Sequence, residues 1–122
     1  MFRQLDMWLR RIALRWWQAG FWLLWCVATL VMVLPSSELP EVDMSDKTEH
    51  LLAFFALMVL AGLAYRDRLL LPVLAAWLVA YGIAIECVQF FIPSRSFSVL
   101  DMVADAAGVL PAWWLLHQLG RA

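Results

Sequence analysis

Charge is the scarcest thing in this chain. Only 16% of its 122 residues are Asp, Glu, Lys or Arg, against about 25% in an ordinary soluble domain. Hydrophobic residues make up 65% and the mean hydropathy is +0.78, where roughly 45–50% apolar is usual. A domain this short buries a smaller share of its surface than a long one, so it has no interior large enough for that much apolar material. Lipid must be its solvent. Cysteine is also scarce: Cys26 and Cys87 lie in apolar runs without metal-ligand spacing, which excludes a disulfide framework or zinc finger and leaves ordinary packing thiols. Only two histidines are present, thin support for a zinc site, and neither a metal nor a cofactor is expected. The net charge is −1, and no basic patch offers a surface for nucleic acid. Recurrent two-residue alternation is missing too, and with it the short segments of a membrane β-barrel.

What is present is long apolar runs. A helix needs roughly 20 mostly apolar residues to cross a bilayer. "WQAGFWLLWCVATLVMVL", residues 17–34, meets that and stops at Pro35. "LLAFFALMVLAGLAY", 51–65, reaches span length if its helix starts near Asp46 or Lys47, giving about 48–65. "LLLPVLAAWLVAYGIAIECVQFFI" covers 69–92, with Pro72 tolerated in its first turn. "MVADAAGVLPAWWLLHQL" covers 102–119, and Pro111 predicts a kink. The fold class is therefore an all-α integral membrane protein with four transmembrane helices, spanning residues 17–122 behind a segment at 1–16.

Basic residues in the loops set the orientation. Arg3, Arg10, Arg11, Arg15, Arg66, Arg68 and Arg121 fall on one side, and only Lys47 and Arg95 on the other. Both termini are expected in the cytoplasm. A basic start before an apolar run also suits a signal peptide, but no small-residue cleavage pattern follows "VMVLPSS", so the run reads as an uncleaved anchor. Within residues 1–16, Leu5, Trp8, Leu9 and Ile12 share one helical face among arginines. An interfacial helix and a plain basic flank are both consistent with that.

Threading the four spans up and down puts the polar groups in one layer. Asp46, Lys47 and His50 open the second span, Glu86 and Gln89 lie near the outer end of the third, Arg95 is in the outer loop, and Asp101 and Asp105 open the fourth. Asp46 and His50 are four apart; Gly82, Glu86 and Gln89 share a face; so do Asp101, Asp105, Gly108 and Ala112. Small residues at spacing four, Ala76, Ala80 and Ala84 on the third span and Ala104, Gly108 and Ala112 on the fourth, suit close helix approach in lipid. The polar faces are therefore expected to point into the bundle.

Intramembrane charge costs roughly 2.5–3.5 kcal/mol per group at the bilayer centre. Asp46, Glu86, Asp101 and Asp105 face only Lys47 and Arg95, with His50 a third cation if protonated. Protonation, a bound cation or a cationic ligand group must relieve the deficit. Plainer roles also fit single residues. Asp46 and Asp101 are placed to cap helix N-termini, Arg95 to pair with Asp101, Glu49 to sit solvated at the interface, and His117 to anchor the inner end.

"DKTEHLLAFFALMVLAGLAY" and "IECVQFFIPSRSFSVLDMVADAAGVLPAWW" resemble the VanZ-like membrane protein family. Its pattern is D-K-x-x-H-x-x-x-[YF] opening one helix, E-x-x-Q-x-F closing another, and then R-x-[FA]-[SD]-x-x-D-x-x-[AL]-N-x-x-G. Asp46, Lys47, His50, Glu86, Gln89, Arg95, Phe97, Asp101 and Gly108 match it, over about residues 40–116. Asp105 stands where the pattern has Asn. The resemblance implies a four-helix protein of the bacterial cytoplasmic membrane and a link to resistance against the glycopeptide teicoplanin. It names a family, not a reaction.

Three functions stay open. The first is binding of a membrane-lipid headgroup or cell-wall precursor lipid at Asp46, Lys47, His50, Glu86, Gln89, Arg95, Asp101 and Asp105. Another is an embedded enzyme using His50 with Asp46 and Glu86 as acid and base. The last is a small proton-coupled transporter working as an oligomer, against which stands a first span without charge. A homo-oligomer or a membrane-protein partner is compatible with each.

Overall fold

A computed structural model of the chain describes residues 2–33, 46–65, 71–92 and 99–121. These residues form five helices and no strand: α1 (Phe2–Arg10), α2 (Leu14–Val33), α3 (Asp46–Tyr65), α4 (Leu71–Gln89) and α5 (Val99–Arg121). The last four each contain a stretch of 19–21 residues apolar enough to cross a membrane. At about 1.5 Å per residue such a stretch spans roughly 30 Å, the thickness of a hydrocarbon core. The chain is a multi-pass membrane protein. Many wide apolar side chains point outward, among them Trp77 at 72% and Phe91 at 81% exposure, as lipid-facing groups do.

The helix bounds follow local chemistry. α3 starts at Asp46, early enough to complete a span. α4 stops at Gln89, and residues 90–92 close a turn in which the Phe91 and Ile92 amides donate three residues back, to the Val88 and Gln89 carbonyls at 3.0 and 3.1 Å. Pro93 explains the stop, since proline disfavours helical backbone in the residue before it. α5 begins at Val99, earlier than expected, and continues through Pro111 as one 23-residue helix.

Of the two readings of the N-terminal segment, the helical one is seen. In α1 the Arg10 Nε donates to Asp6 Oδ2 at 2.9 Å, and Leu5, Met7 and Trp8 are exposed. Trp17 Nε1 donates to the Leu9 carbonyl at 3.2 Å, fastening α1 to α2. At the other edge Phe2 meets Trp114 of α5 edge-on, with ring centroids 6.2 Å apart.

α3 and α5 share the largest interface. Phe54, Leu57 and Met58 of α3 and Val109, Ala112 and Leu116 of α5 are completely shielded. Lipid tails are as apolar as leucine, so hydrophobicity alone does not hold these helices together; close packing must. Gly108 supplies it. A β-carbon there would fall 2.9 Å from the Phe55 backbone nitrogen and 3.1 Å from the Leu51 carbonyl carbon, closer still to the Leu51 oxygen.

One sequence expectation fails on α4. Ala76, Ala80 and Ala84 are not at a helix interface but line an open groove beside Trp77 and Tyr81. The buried stripe is Leu74, Ala75, Leu78, Gly82, Ile85, Glu86 and Gln89. The reason is angular. At 100° per residue, Ala84 lies about 200° from both Gly82 and Glu86. Shielding Glu86 and Gln89 from lipid turns the alanine row outward.

Candidate functional site: a buried imidazole among carboxylates

His50 sits one turn into α3, Glu86 in the last turn of α4, Asp101 in the first turn of α5, and Asp105 one turn further. All four are buried, Glu86 completely and Asp105 to 1% exposure. Three helices thus deliver one imidazole and three carboxylates to a single layer. His50 Nδ1 and Asp105 Oδ1 are 2.7 Å apart. An ionised carboxylate only accepts, so with Asp105 ionised and His50 neutral the proton lies on Nδ1 and the lone pair on Nε2. That nitrogen lies 3.8 Å from Asp101 Oδ2 and 4.0 Å from Glu86 Oε1. Both distances are too long for hydrogen bonds. Beneath the imidazole, the Phe54 ring runs parallel to it with centroids 6.5 Å apart.

Two glycines make the central contact sterically possible. Gly108 lets α5 reach the α3 backbone one residue from His50. Gly82 makes room for the Asp105 side chain: a β-carbon there would sit 2.5 Å from Asp105 Oδ2 and 3.2 Å from its Cβ. Asp105 Oδ2 is buried and has no hydrogen-bond partner among the described residues.

The remaining sequence candidates separate. Lys47 reaches from the bundle rim, its Nζ 3.5 Å from Asp101 Oδ1 and its side chain half exposed. Gln89 turns away from His50 and donates its Nε2 to the Met32 carbonyl at 2.7 Å. That carbonyl belongs to the last turn of α2, where helix carbonyls lack intrahelical partners, so Gln89 fastens α4 to the end of α2. Arg95, Phe97 and the Asp46 side chain lie outside the described residues. Glu49 borders an apolar cavity of about 180 Å³ between α2 and α3, lined also by Leu24, Val27, Ala28, Met32 and Ala53, which reaches His50. His117 is exposed, and Cys26 and Cys87 are free and exposed.

A family description, VanZ/LLP1, matches residues 10–120. The chain belongs to the VanZ/LLP1 family. The match takes in all four spanning helices and nearly all of the described bundle, leaving α1 almost wholly outside. No curated protein and no solved structure matches the chain. Within this VanZ/LLP1 chain, sequence spacing located the acidic layer but not its connections. Pairing of His50 with Asp105 crosses from α3 to α5, and nothing local marks it. Phe54 and Gly82 carried a signal, each one helical turn from a polar residue on the same face.

Chemically, the cluster offers buried acceptors, one oriented imidazole and an approach along apolar walls. His50, Glu86 and Asp101 each present one donor atom, and the three lie within 4.8 Å of one another.

Proposed function

We propose that this VanZ/LLP1 chain binds an envelope lipid, the headgroup of a membrane lipid or of a lipid-linked cell-wall precursor, at the His50–Glu86–Asp101–Asp105 end of its bundle. The observation that carries this reading is the apolar cavity between α2 and α3 that ends on Glu49 and His50. Its lining suits an amphiphile: a hydrocarbon chain along Leu24, Val27 and Ala28, and a polar group at Glu49 and His50. Lys47 at the rim offers an ammonium to a phosphate, while the carboxylates meet amines or hydroxyls. Placed by the arginine-rich loops, the bundle lies in a bacterial cytoplasmic membrane with both termini inside and the cluster outward. That orientation gives it access to cell-wall lipids, the class of ligand through which a link to teicoplanin resistance is understandable.

Native mass spectrometry of the detergent-purified chain tests the proposal. A lipid adduct retained by the wild type is expected to disappear in Ala53→Leu, which fills the cavity, and in Glu86→Gln, which alters the cluster behind His50. Retention of the same adduct in both folded variants counts against the reading. A second reading, an enzyme acting on envelope-lipid intermediates, is favoured by Asp105 holding His50 at 2.7 Å, the arrangement that orients a catalytic base. Turnover of a labelled lipid intermediate that is lost in His50→Gln, while the adduct survives, would move the assignment to that class.

A further inference from the structure

The geometry points to a divalent cation site formed by His50 Nε2, Glu86 and Asp101, suited to Zn²⁺ or Mn²⁺. It goes beyond lipid binding and does not depend on it. With Asp105 ionised and His50 neutral, Nε2 is the ring nitrogen left without the proton, since Asp105 then takes the hydrogen bond from Nδ1 at 2.7 Å. This is how metal-binding histidines are oriented, with a carboxylate on the other nitrogen. The two flanking oxygens stand 3.8 and 4.0 Å from Nε2. Bonds of about 2.1 Å in a tetrahedral shell place donors roughly 3.4 Å apart, so Nε2 must approach each oxygen by about half an ångström and the two oxygens, within 4.8 Å of each other, by up to about 1.4 Å. Spacings this long do not suit direct hydrogen bonds.

Charge and access agree. Among the described residues, Glu86, Asp101 and Asp105 against Lys47 leave two negative charges with His50 neutral. A divalent ion removes that excess. A cavity of about 180 Å³ borders His50 from the α2 side and gives an approach to it. Asp105 Oδ2, packed against Gly82, is buried and without a hydrogen-bond partner among the described residues, and an ion bound nearby would offset its charge. One imidazole with two carboxylates is a donor set for Zn²⁺ or Mn²⁺, not for soft, thiolate-seeking ions. Glu49, next in sequence to His50, borders the cavity but is not one of the three converging donors.

The experiment is metal uptake by the intact chain in detergent, stripped with EDTA and dialysed separately against Zn²⁺, Mn²⁺ and Mg²⁺. Metal content is read by elemental mass spectrometry and helicity by circular dichroism. One Zn²⁺ or Mn²⁺ per wild-type chain is expected, lost in Glu86→Gln and Asp101→Asn and kept in Glu49→Gln. Asp105→Asn is expected to weaken binding by about 10–100-fold, the usual cost of losing an outer-shell partner. A folded wild type that takes up none of the ions, or uptake unchanged in both donor variants, overturns the site. Should those variants unfold, X-ray absorption of the Zn²⁺-loaded wild type decides: a shell of one imidazole and oxygens supports the assignment, and several imidazoles or any sulfur refutes it. Lipid retention is read separately by adduct mass, so either proposal can fail without the other.

Discussion

Replacing Gly108 by alanine adds one carbon at the closest approach of α3 and α5. That carbon meets backbone, 2.9 Å from the Phe55 nitrogen and 3.1 Å from the Leu51 carbonyl carbon, and backbone cannot rotate away. Ordinary van der Waals separation is about 3.5–4.0 Å, so α5 must retreat by about 1 Å or more, the Leu51 oxygen being closer still. The same movement stretches the His50–Asp105 contact from 2.7 Å toward the limit of a hydrogen bond. Overpacking costs about 1–3 kcal/mol, a weakened charged hydrogen bond up to about 1.5 kcal/mol more in a membrane, and the gain in helix propensity returns about 1 kcal/mol. A net loss of about 2 kcal/mol follows from the middle of these ranges. Two other glycines calibrate the assay. At Gly62 the added carbon meets the end of the Leu116 side chain, 2.7 Å from Cδ2, which can shift; at Gly20 the nearest atom is Leu60 Cδ2 at 3.8 Å. Reversible unfolding in mixed micelles, followed by tryptophan fluorescence, should rank the variants Gly108→Ala least stable, Gly62→Ala next and Gly20→Ala equal to or above wild type. Gly108→Ala as stable as Gly20→Ala would refute the close approach on which the site's geometry depends.

Other expectations are more local. Gln89→Leu removes the donor to the Met32 carbonyl and should lower stability by about 1–2 kcal/mol, measured the same way, because it leaves a buried acceptor unsatisfied. Lys47→Ala breaks a rim contact of 3.5 Å whose lysine is half exposed; a change within about 0.5 kcal/mol is expected, with lipid affinity the more sensitive readout. Trp77→Ala alters a side chain already 72% exposed and should leave the unfolding free energy within about 0.5 kcal/mol of wild type. A green fluorescent protein fused to the C-terminus should fluoresce if that end is cytoplasmic, and a dark, expressed fusion would reverse the orientation.

The fold was legible because lipid imposes length and apolarity together. Residues 17–34 and 69–92 announce spans by composition, and Asp46 and Lys47 marked where a short run had to be extended. The polar layer was legible as well, since alternating spans bring the start of α3, the end of α4 and the start of α5 to one side. Pairings inside that layer were not. Asp46, four residues from His50, has its side chain outside the described residues, and the partner seen among those described is Asp105, 55 residues away and admitted by Gly82 and Gly108. Gln89 looked like part of the same site, yet its partner is a main-chain carbonyl, which has no sequence signature. The alanine row on α4 was a misreading of a periodicity that the polar residues already contradicted, since Glu86 and Ala84 cannot both face the bundle.

All of this turns on the contact between His50 and Asp105. A double-mutant cycle of His50→Ala and Asp105→Ala, scored by unfolding free energy in micelles, measures it directly. A coupling of about 1–2 kcal/mol is predicted, near the upper range for intramembrane hydrogen bonds. Effects that add to within about 0.3 kcal/mol would mean that the two side chains do not meet, and would contradict the site.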